Sequence, residues 1–225
     1  MTLLSVTRCV AALGALYLLA ACAESSAPSD KTASLRVLNA SRDSKAVTVF
    51  VDGSQVGSAV VFAQLSVPIP ITPGAHRMTF TPMAVAQSAG SFSASFSTGD
   101  TTIVIVIDSS TIIDPIVLTD TGSIVPLGAS KLRVVHFAEH APAIDVWRTQ
   151  PDYQTLIRVM FPFPYRAASG YIQSTPGDWT VVVTPEGRTD TLLATGPITV
   201  PDGKSRTVVL LDGDSAGLQA RILDH

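Results

Sequence analysis

The string His136-Phe137-Ala138-Glu139-His140 is where residue type and spacing come nearest to chemistry, because it matches the hydrolytic pattern H-x-x-E-H. That chemistry places both histidines on one helical turn, where they bind zinc while the glutamate acts as general base. Here the string runs off the end of a strand into a turn before Pro142, and an internal repeat aligns it with an ordinary polar turn, Asn39 to Asp43. The favoured reading is a turn whose side chains satisfy backbone groups. No metal site is therefore assigned, with His136 and His140 the nearest to one, and no cofactor is expected. Asp212-Gly213-Asp214 begins like a calcium loop, but the twelve-residue spacing and terminal glutamate are absent, so it too reads as a turn. No G-x-S-x-G, S-x-x-K or Walker sequence occurs, and no catalytic set is assigned. His76 reads as a partly buried strand residue.

The best interaction candidate is Met160-Phe161-Pro162-Phe163-Pro164-Tyr165. Prolines cannot donate to a strand ladder, so Phe161, Phe163 and Tyr165 would be preordered, and if exposed they would mark a partner site. The competing expectation is that these side chains cover one open end of a sandwich. Trp147 and Trp179 occupy repeat-matched strand positions and are expected in a core rather than on a sugar-stacking platform.

Short strands must position all of this. Leu132 to Trp147 repeats Leu35 to Phe50 without a gap: Leu35 matches Leu132, Val37 matches Val134, and Phe50 matches Trp147. Each copy is a strand, a polar turn and a second strand. Asp52-Gly53 is a hairpin signal, and Pro73-Gly74 and Pro176-Gly177 mark equivalent turns. After these turns His76, Met78 and Phe80 share one face, as do Trp179, Val181 and Val183. Thr101 to Ile107 is apolar on both faces and is expected to be a central strand, with Thr207 to Leu211 its counterpart. Gly217 to Asp224 reads as a last edge strand. The second copy is about six residues longer between its opening and its Pro-Gly turn, which places an insertion between Trp147 and Pro164. Strands at such spacing, with no helical periodicity, predict an all-β chain of two tandem β-sandwiches, residues 34–128 and 129–225, each with its own covered core.

Composition agrees. The 225 residues are 46% apolar and 15% charged, with 15 glycines and 15 prolines, which is too apolar for disorder and suits strands broken by turns. A net charge of −3 with scattered positive residues argues against a nucleic-acid partner. Both cysteines, Cys9 and Cys22, precede the strands, so the β body has no disulfide to rely on. Residues 1–21 read as a signal peptide: Arg8, an apolar run shorter than the roughly 20 residues of a membrane span, then small residues. Leu19-Ala20-Ala21-Cys22 resembles the bacterial lipobox, which implies acylation at Cys22 and, with Ala23 following, an outer-membrane address. An ordinary secretory signal with an incidental cysteine is the alternative. Residues 22–33 are small, polar and proline-punctuated, a flexible tether.

The opening LRVVHFAEHAPAIDVW, the later Tyr165 to Ser169 with Tyr171, and Pro176-Gly177 together resemble the DUF4397 domain, in tandem over residues 34–225. Val51-Asp52-Gly53 carries the likeness in the first unit, and Ala141-Pro142-Ala143 with Asp145 in the second. The resemblance implies immunoglobulin-like sandwiches on an exported, lipidated bacterial protein and brings no catalytic residues with it. The expectation is a lipid-anchored envelope protein that binds or scaffolds without catalysis. Its partners would be the membrane, through its lipid, and envelope proteins or glycans. A metal-dependent hydrolase using His136, Glu139 and His140, or a passive spacer, are the alternatives.

Overall fold

All seven residues from Thr101 to Ile107 are β-branched, and such side chains are stiff at χ1 and favour extended backbone. The computed structural model describes residues 32–85, 90–108, 111–118, 124–213 and 217–224. Cys22, the signal segment, the tether up to residue 31 and Asp214 lie outside the described residues. The first half contains β1 (Ala33–Asn39), β2 (Ala46–Val51), β3 (Ser54–Gln55), β4 (Val60–Val61), β5 (Ile69–Ile71), β6 (Gly74–Pro82), β7 (Gly90–Phe96), β8 (Thr101–Ile107) and β9 (Asp114–Leu118). The second contains β10 (Ser130–Phe137), β11 (Ile144–Thr149), β12 (Ile157–Phe163), β13 (Ile172–Ser174), β14 (Gly177–Pro185), β15 (Leu193–Ala194), β16 (Ile198–Val200), β17 (Ser205–Asp212) and β18 (Leu218–Asp224). No helix among the described residues is long and apolar enough to cross a membrane.

Each half is two sheets, as the sequence predicts. One runs β5-β1-β8-β9 in the first half and β13-β10-β17-β18 in the second; these are the inner sheets. The outer sheets centre on β2-β6 and on β11-β14, with β3, β4 and β7, or β12, β15 and β16, around them. The first strand of each inner sheet pairs parallel with its partner, β1 with β8 and β10 with β17. The two-residue turn Asp52-Gly53 has positive φ at both positions, the turn that matches strand twist. Gly74 and Gly177 open β6 and β14 at φ +130° and +136°, with nothing near the missing Cβ, so glycine is needed there for conformation and not for space.

Alternation along β8 shows why it is apolar on both sides. Val104 and Val106 face the outer sheet and join Leu35, Val37, Val49, Met78 and Phe80 in the first sandwich core. Ile103, Ile105 and Ile107 face the other way, where they meet Val135 and Phe137 of β10, Val209 and Leu211 of β17, and Leu223 of β18. In the second half Val208 and Leu210 point into the second sandwich core with Leu132, Val134, Ile144 and Val146. The four sheets are thus layered outer, inner, inner, outer, with three cores between them. The sequence reading of two separately covered cores is corrected here: a central core joins the halves, and residues 31–225 form one compact unit.

The segment read as an insertion contributes a strand. Its second part is β12, an edge strand of the second outer sheet, whose register against β11 shifts twice. Pro162 sits within one of those irregular stretches, where a missing N–H costs no ladder bond.

Polar contacts fasten the same junction. Tyr165 donates its hydroxyl to Asp108 Oδ1 (2.7 Å), and Arg166 pairs with Asp108 (3.6 Å) and with Asp114. Arg221 Nε donates to the carbonyl of Ala63 at 2.5 Å. Burying each large apolar side chain of the central core is worth about 1.5–3 kcal/mol, far more than an exposed ion pair. Phe137→Ala is therefore expected to cost about 3–5 kcal/mol. Calorimetry should show a single transition, displaced as a whole; two resolved transitions with only one displaced would contradict a shared core.

Candidate binding surface

The HFAEH string lies where β10 ends. His136 is 2% exposed, on the same strand face as Leu132 and Val134, and its ring stacks on Phe163 (5.8 Å between centroids, 24° between planes). Tyr165 meets it edge-on at 6.2 Å, and its Nδ1 accepts from the Ala138 N–H at 3.3 Å. Burial pushes this imidazole down to about 4, against the opposing pull of the Asp212 carboxylate. His140 has a separate partner. Its Nδ1 lies 3.1 Å from Asp212 Oδ2, and that pairing raises its proton affinity. Asp212 also accepts the backbone N–H groups of Glu139 (3.1 Å) and His140 (3.0 Å). The string is therefore a strand end and a turn capped by a buried carboxylate, with the Glu139 side chain exposed. Among the described residues no group of three or more His, Cys, Asp or Glu is placed to hold a metal ion.

The irregular register of β12 separates the first two aromatic candidates, and the third lies beyond the strand. Phe163 is wholly buried in the second sandwich core. As a partner-contacting residue it is corrected: it faces Ile144 across the ladder, on the inward side. Tyr165 is half-buried and committed to Asp108 across the junction, and burial followed by that bond raises its proton affinity. Phe161 is 52% exposed.

Phe161 does not stand alone. The Arg158 guanidinium lies 3.7 Å from the centroid of its ring and 5.0 Å from that of Trp147, bridging the two aromatics. Trp147 is opposite Arg158 in the ladder, half-buried, with its indole N–H donated to Thr184 Oγ1 at 3.2 Å. The expectation of a core position fits Trp179 (7% exposed) and not Trp147. Residues 144, 146 and 148 take the inward face of β11, so 147 must point outward. The result is an aromatic–cation–aromatic platform on the outer face of the second outer sheet. Sequence reasoning missed Arg158 and Trp147 in this role; the signal was their common parity across two adjacent strands, which an irregular ladder hides.

His76 packs edge-on against Phe96 (5.8 Å), and its Nδ1 lies 2.6 Å from Asp52 Oδ2 at the first half's hairpin. That bond raises the histidine's proton affinity and lowers the carboxyl's.

A model of DUF4397, a domain of unknown function, matches residues 33–147, the first half together with β10 and most of β11. No curated protein matches the chain. Among solved structures, a family 41 carbohydrate-binding module from streptococcal virulence factors is 10% identical and covers 81% of this chain and 94% of its own, at a TM-score of 0.29. A structure of α-glucan binding by a streptococcal virulence factor is 11% identical over 83% of this chain and 95% of its own, at 0.28. The tip fimbrial protein Mfa3 from Porphyromonas gingivalis is 11% identical over 86% and 100%, at 0.25. Likenesses this loose assign no ligand or activity.

Because His136 is held neutral when folded and titrates near 6.5 when unfolded, the unfolded chain binds the extra proton first as pH falls. Stability should fall from about pH 6.5 and level off below about 4, by about 3 kcal/mol. Chemical denaturation of the His136→Gln variant across that range should show a correspondingly shallower loss; an unchanged slope would remove His136 as its source.

Proposed function

The chain belongs to the DUF4397 family, and from that premise we propose that it is a lipid-anchored, non-catalytic binding module of the bacterial cell envelope. Cys22 would carry the lipid and residues 22–33 the slack, with the outer membrane as the address. The second half is read as a second copy of the family's domain, a reading supported by the matching strand order of the two inner sheets.

The observation that carries the binding role is the Phe161–Arg158–Trp147 platform. An exposed phenyl ring and a guanidinium held over two aromatic faces present a broad, preordered surface that loses little entropy when covered. Such a surface suits an envelope protein or a glycan. A hydrolase built on His136, Glu139 and His140 draws no support from imidazoles that serve separate structural partners. A passive spacer has no use for the platform.

Phe161 and Phe163 should behave in opposite ways. Phe161→Ser is expected to leave the denaturation midpoint nearly unchanged and to abolish in-cell crosslinking to the partner. Phe163→Ser should cost at least the roughly 3–5 kcal/mol of an emptied phenylalanine site. Crosslinking that survives Phe161→Ser in a folded protein would remove the platform from the account.

Cys22→Ala tests the anchor. The variant should move from the membrane pellet to the soluble fraction, whereas continued sedimentation with membranes would defeat lipidation as the means of attachment.

A further inference from the structure

Sheet edges are where two proteins can join backbone to backbone, and this chain guards its edges unevenly. Among the described residues β5, β9, β12 and β18 each end a sheet, and each carries residues that oppose a further strand. These are Pro70 in β5, Asp114 and Pro115 in β9, Arg158 and Pro162 in β12, and Arg221 and Asp224 in β18. The remaining edge pieces, β3, β4, β13, β15 and β16, are two or three residues long. β7 is the exception. It ends the first outer sheet with seven residues, Gly90-Ser91-Phe92-Ser93-Ala94-Ser95-Phe96, and has neither a charge nor a proline.

The strand is held firmly on one side and left open on the other. β6 keeps it in unbroken register from the Gly74–Phe96 pair to the Phe80–Gly90 pair. Phe92 stacks on Phe80 with 6.0 Å between centroids, and Phe96 is buried in the first core. At Gly90 a side chain would collide with the Ile113 carbonyl, so glycine lets the start of the strand lie against the approach to β9. In an edge strand every second residue directs its N–H and C=O away from the sheet. Apart from β6, no backbone group among the described residues bonds to those of β7.

The side chains of β7 match their own reverse. Laid antiparallel to a second copy with Ser93 on the axis, the strand sets Gly90 opposite Phe96, Ser91 opposite Ser95, Phe92 opposite Ala94, and Ser93 opposite itself. On the core side each phenylalanine meets a small residue that leaves it room. On the solvent side, where Ser91, Ser93 and Ser95 are exposed, serine meets serine. Moving the axis by one residue sets Phe92 against itself or against Phe96 and leaves a strand end unpaired. Charge does not oppose the match. The strand has none, and Arg77 of β6 reaches it at Ser91 Oγ (3.2 Å), an end that antiparallel pairing carries away from its own copy.

We propose that β7 pairs antiparallel with β7 of a second copy of this chain about a two-fold axis at Ser93, so that the first outer sheets of two molecules become one sheet. β7 belongs to the first half and the Phe161 platform to the second, so the dimer stands or falls independently of the platform.

Sedimentation velocity of the detergent-solubilised full chain between about 1 μM and about 1 mM should show a monomer giving way to a dimer. Ser93→Lys adds the kind of charge that other edges carry and sets it opposite itself. It should keep the thermal midpoint and lose the dimer. Register is read by mild oxidation in a Cys9→Ser, Cys22→Ala background, which leaves an introduced thiol alone. Ser93→Cys should link two chains, since directly opposed Cα atoms lie about 4.5–5.5 Å apart, within reach of a disulfide. Ser91→Cys should not link to itself, because the offset puts it about 14 Å from its copy, but mixed with Ser95→Cys it should link. These cysteine variants decide the matter even if Ser93→Lys does not fold. The proposal is overturned if the chain stays monomeric throughout, if Ser93→Lys folds and still dimerises, or if Ser91→Cys links to itself as readily as Ser93→Cys does.

Discussion

The molecule depends on one contact: the apolar face that each inner sheet turns away from its own sandwich. On β8 and β17 neighbouring residues serve different cores, Val104 and Val106 one and Ile103 and Ile105 another. Neither half could leave its face in water without exposing Ile105, Phe137, Val209 and Leu211 together, a patch of the kind that soluble monomers rarely show. Independent relative motion, the default for domains joined by a small polar interface, is therefore excluded here. Tyr165, Arg166 and Arg221 reach across at the margin of this core, where hydrogen bonds fix orientation more than they add strength.

Much of this was legible in the chain. The doubly apolar run Thr101 to Ile107 reads as a central strand, and it is one. The partner of its second face could not be read, because strand periodicity reports that a side is covered and not by what. That partner lies on β10, β17 and β18, in the other half of the sequence. The six extra residues of the second copy are equally visible as a length difference, and the structure spends them in a region where β12 replaces the short pieces β3 and β4. What the string Met160 to Tyr165 concealed was parity. A register shift between the Ile144–Phe163 and Val146–Met160 pairs separates Phe161 from Phe163, so one aromatic faces water and the other is sealed in the core.

The histidines show the same limit at the level of chemistry. H-x-x-E-H is a helical device, since on a helix its two imidazoles fall on one face. On a strand that ends in a turn, His136 is drawn under Phe163 and His140 toward Asp212. Asp212 and Asp108 end equivalent strands yet do different work. The first caps its own half's turn, and the second receives Tyr165 and Arg166 from the other half. The strands correspond in sequence; only tertiary structure could say whom each carboxylate serves.

The pairing of inner sheets also bears on how many such units can be joined. Each half has a single adhesive face, and meeting the other half uses it up. What remains outward is the exposed Ser91, Ser93 and Ser95 at one end of the stack and the Trp147–Arg158 face at the other, neither of which resembles an inner sheet. In solenoids every repeat has two docking sides, and growth stops only where a cap is added. Here the duplication is its own cap: a third unit appended to the chain would find no vacant face and would have to pair with a fourth. Lengthening by this route proceeds in twos.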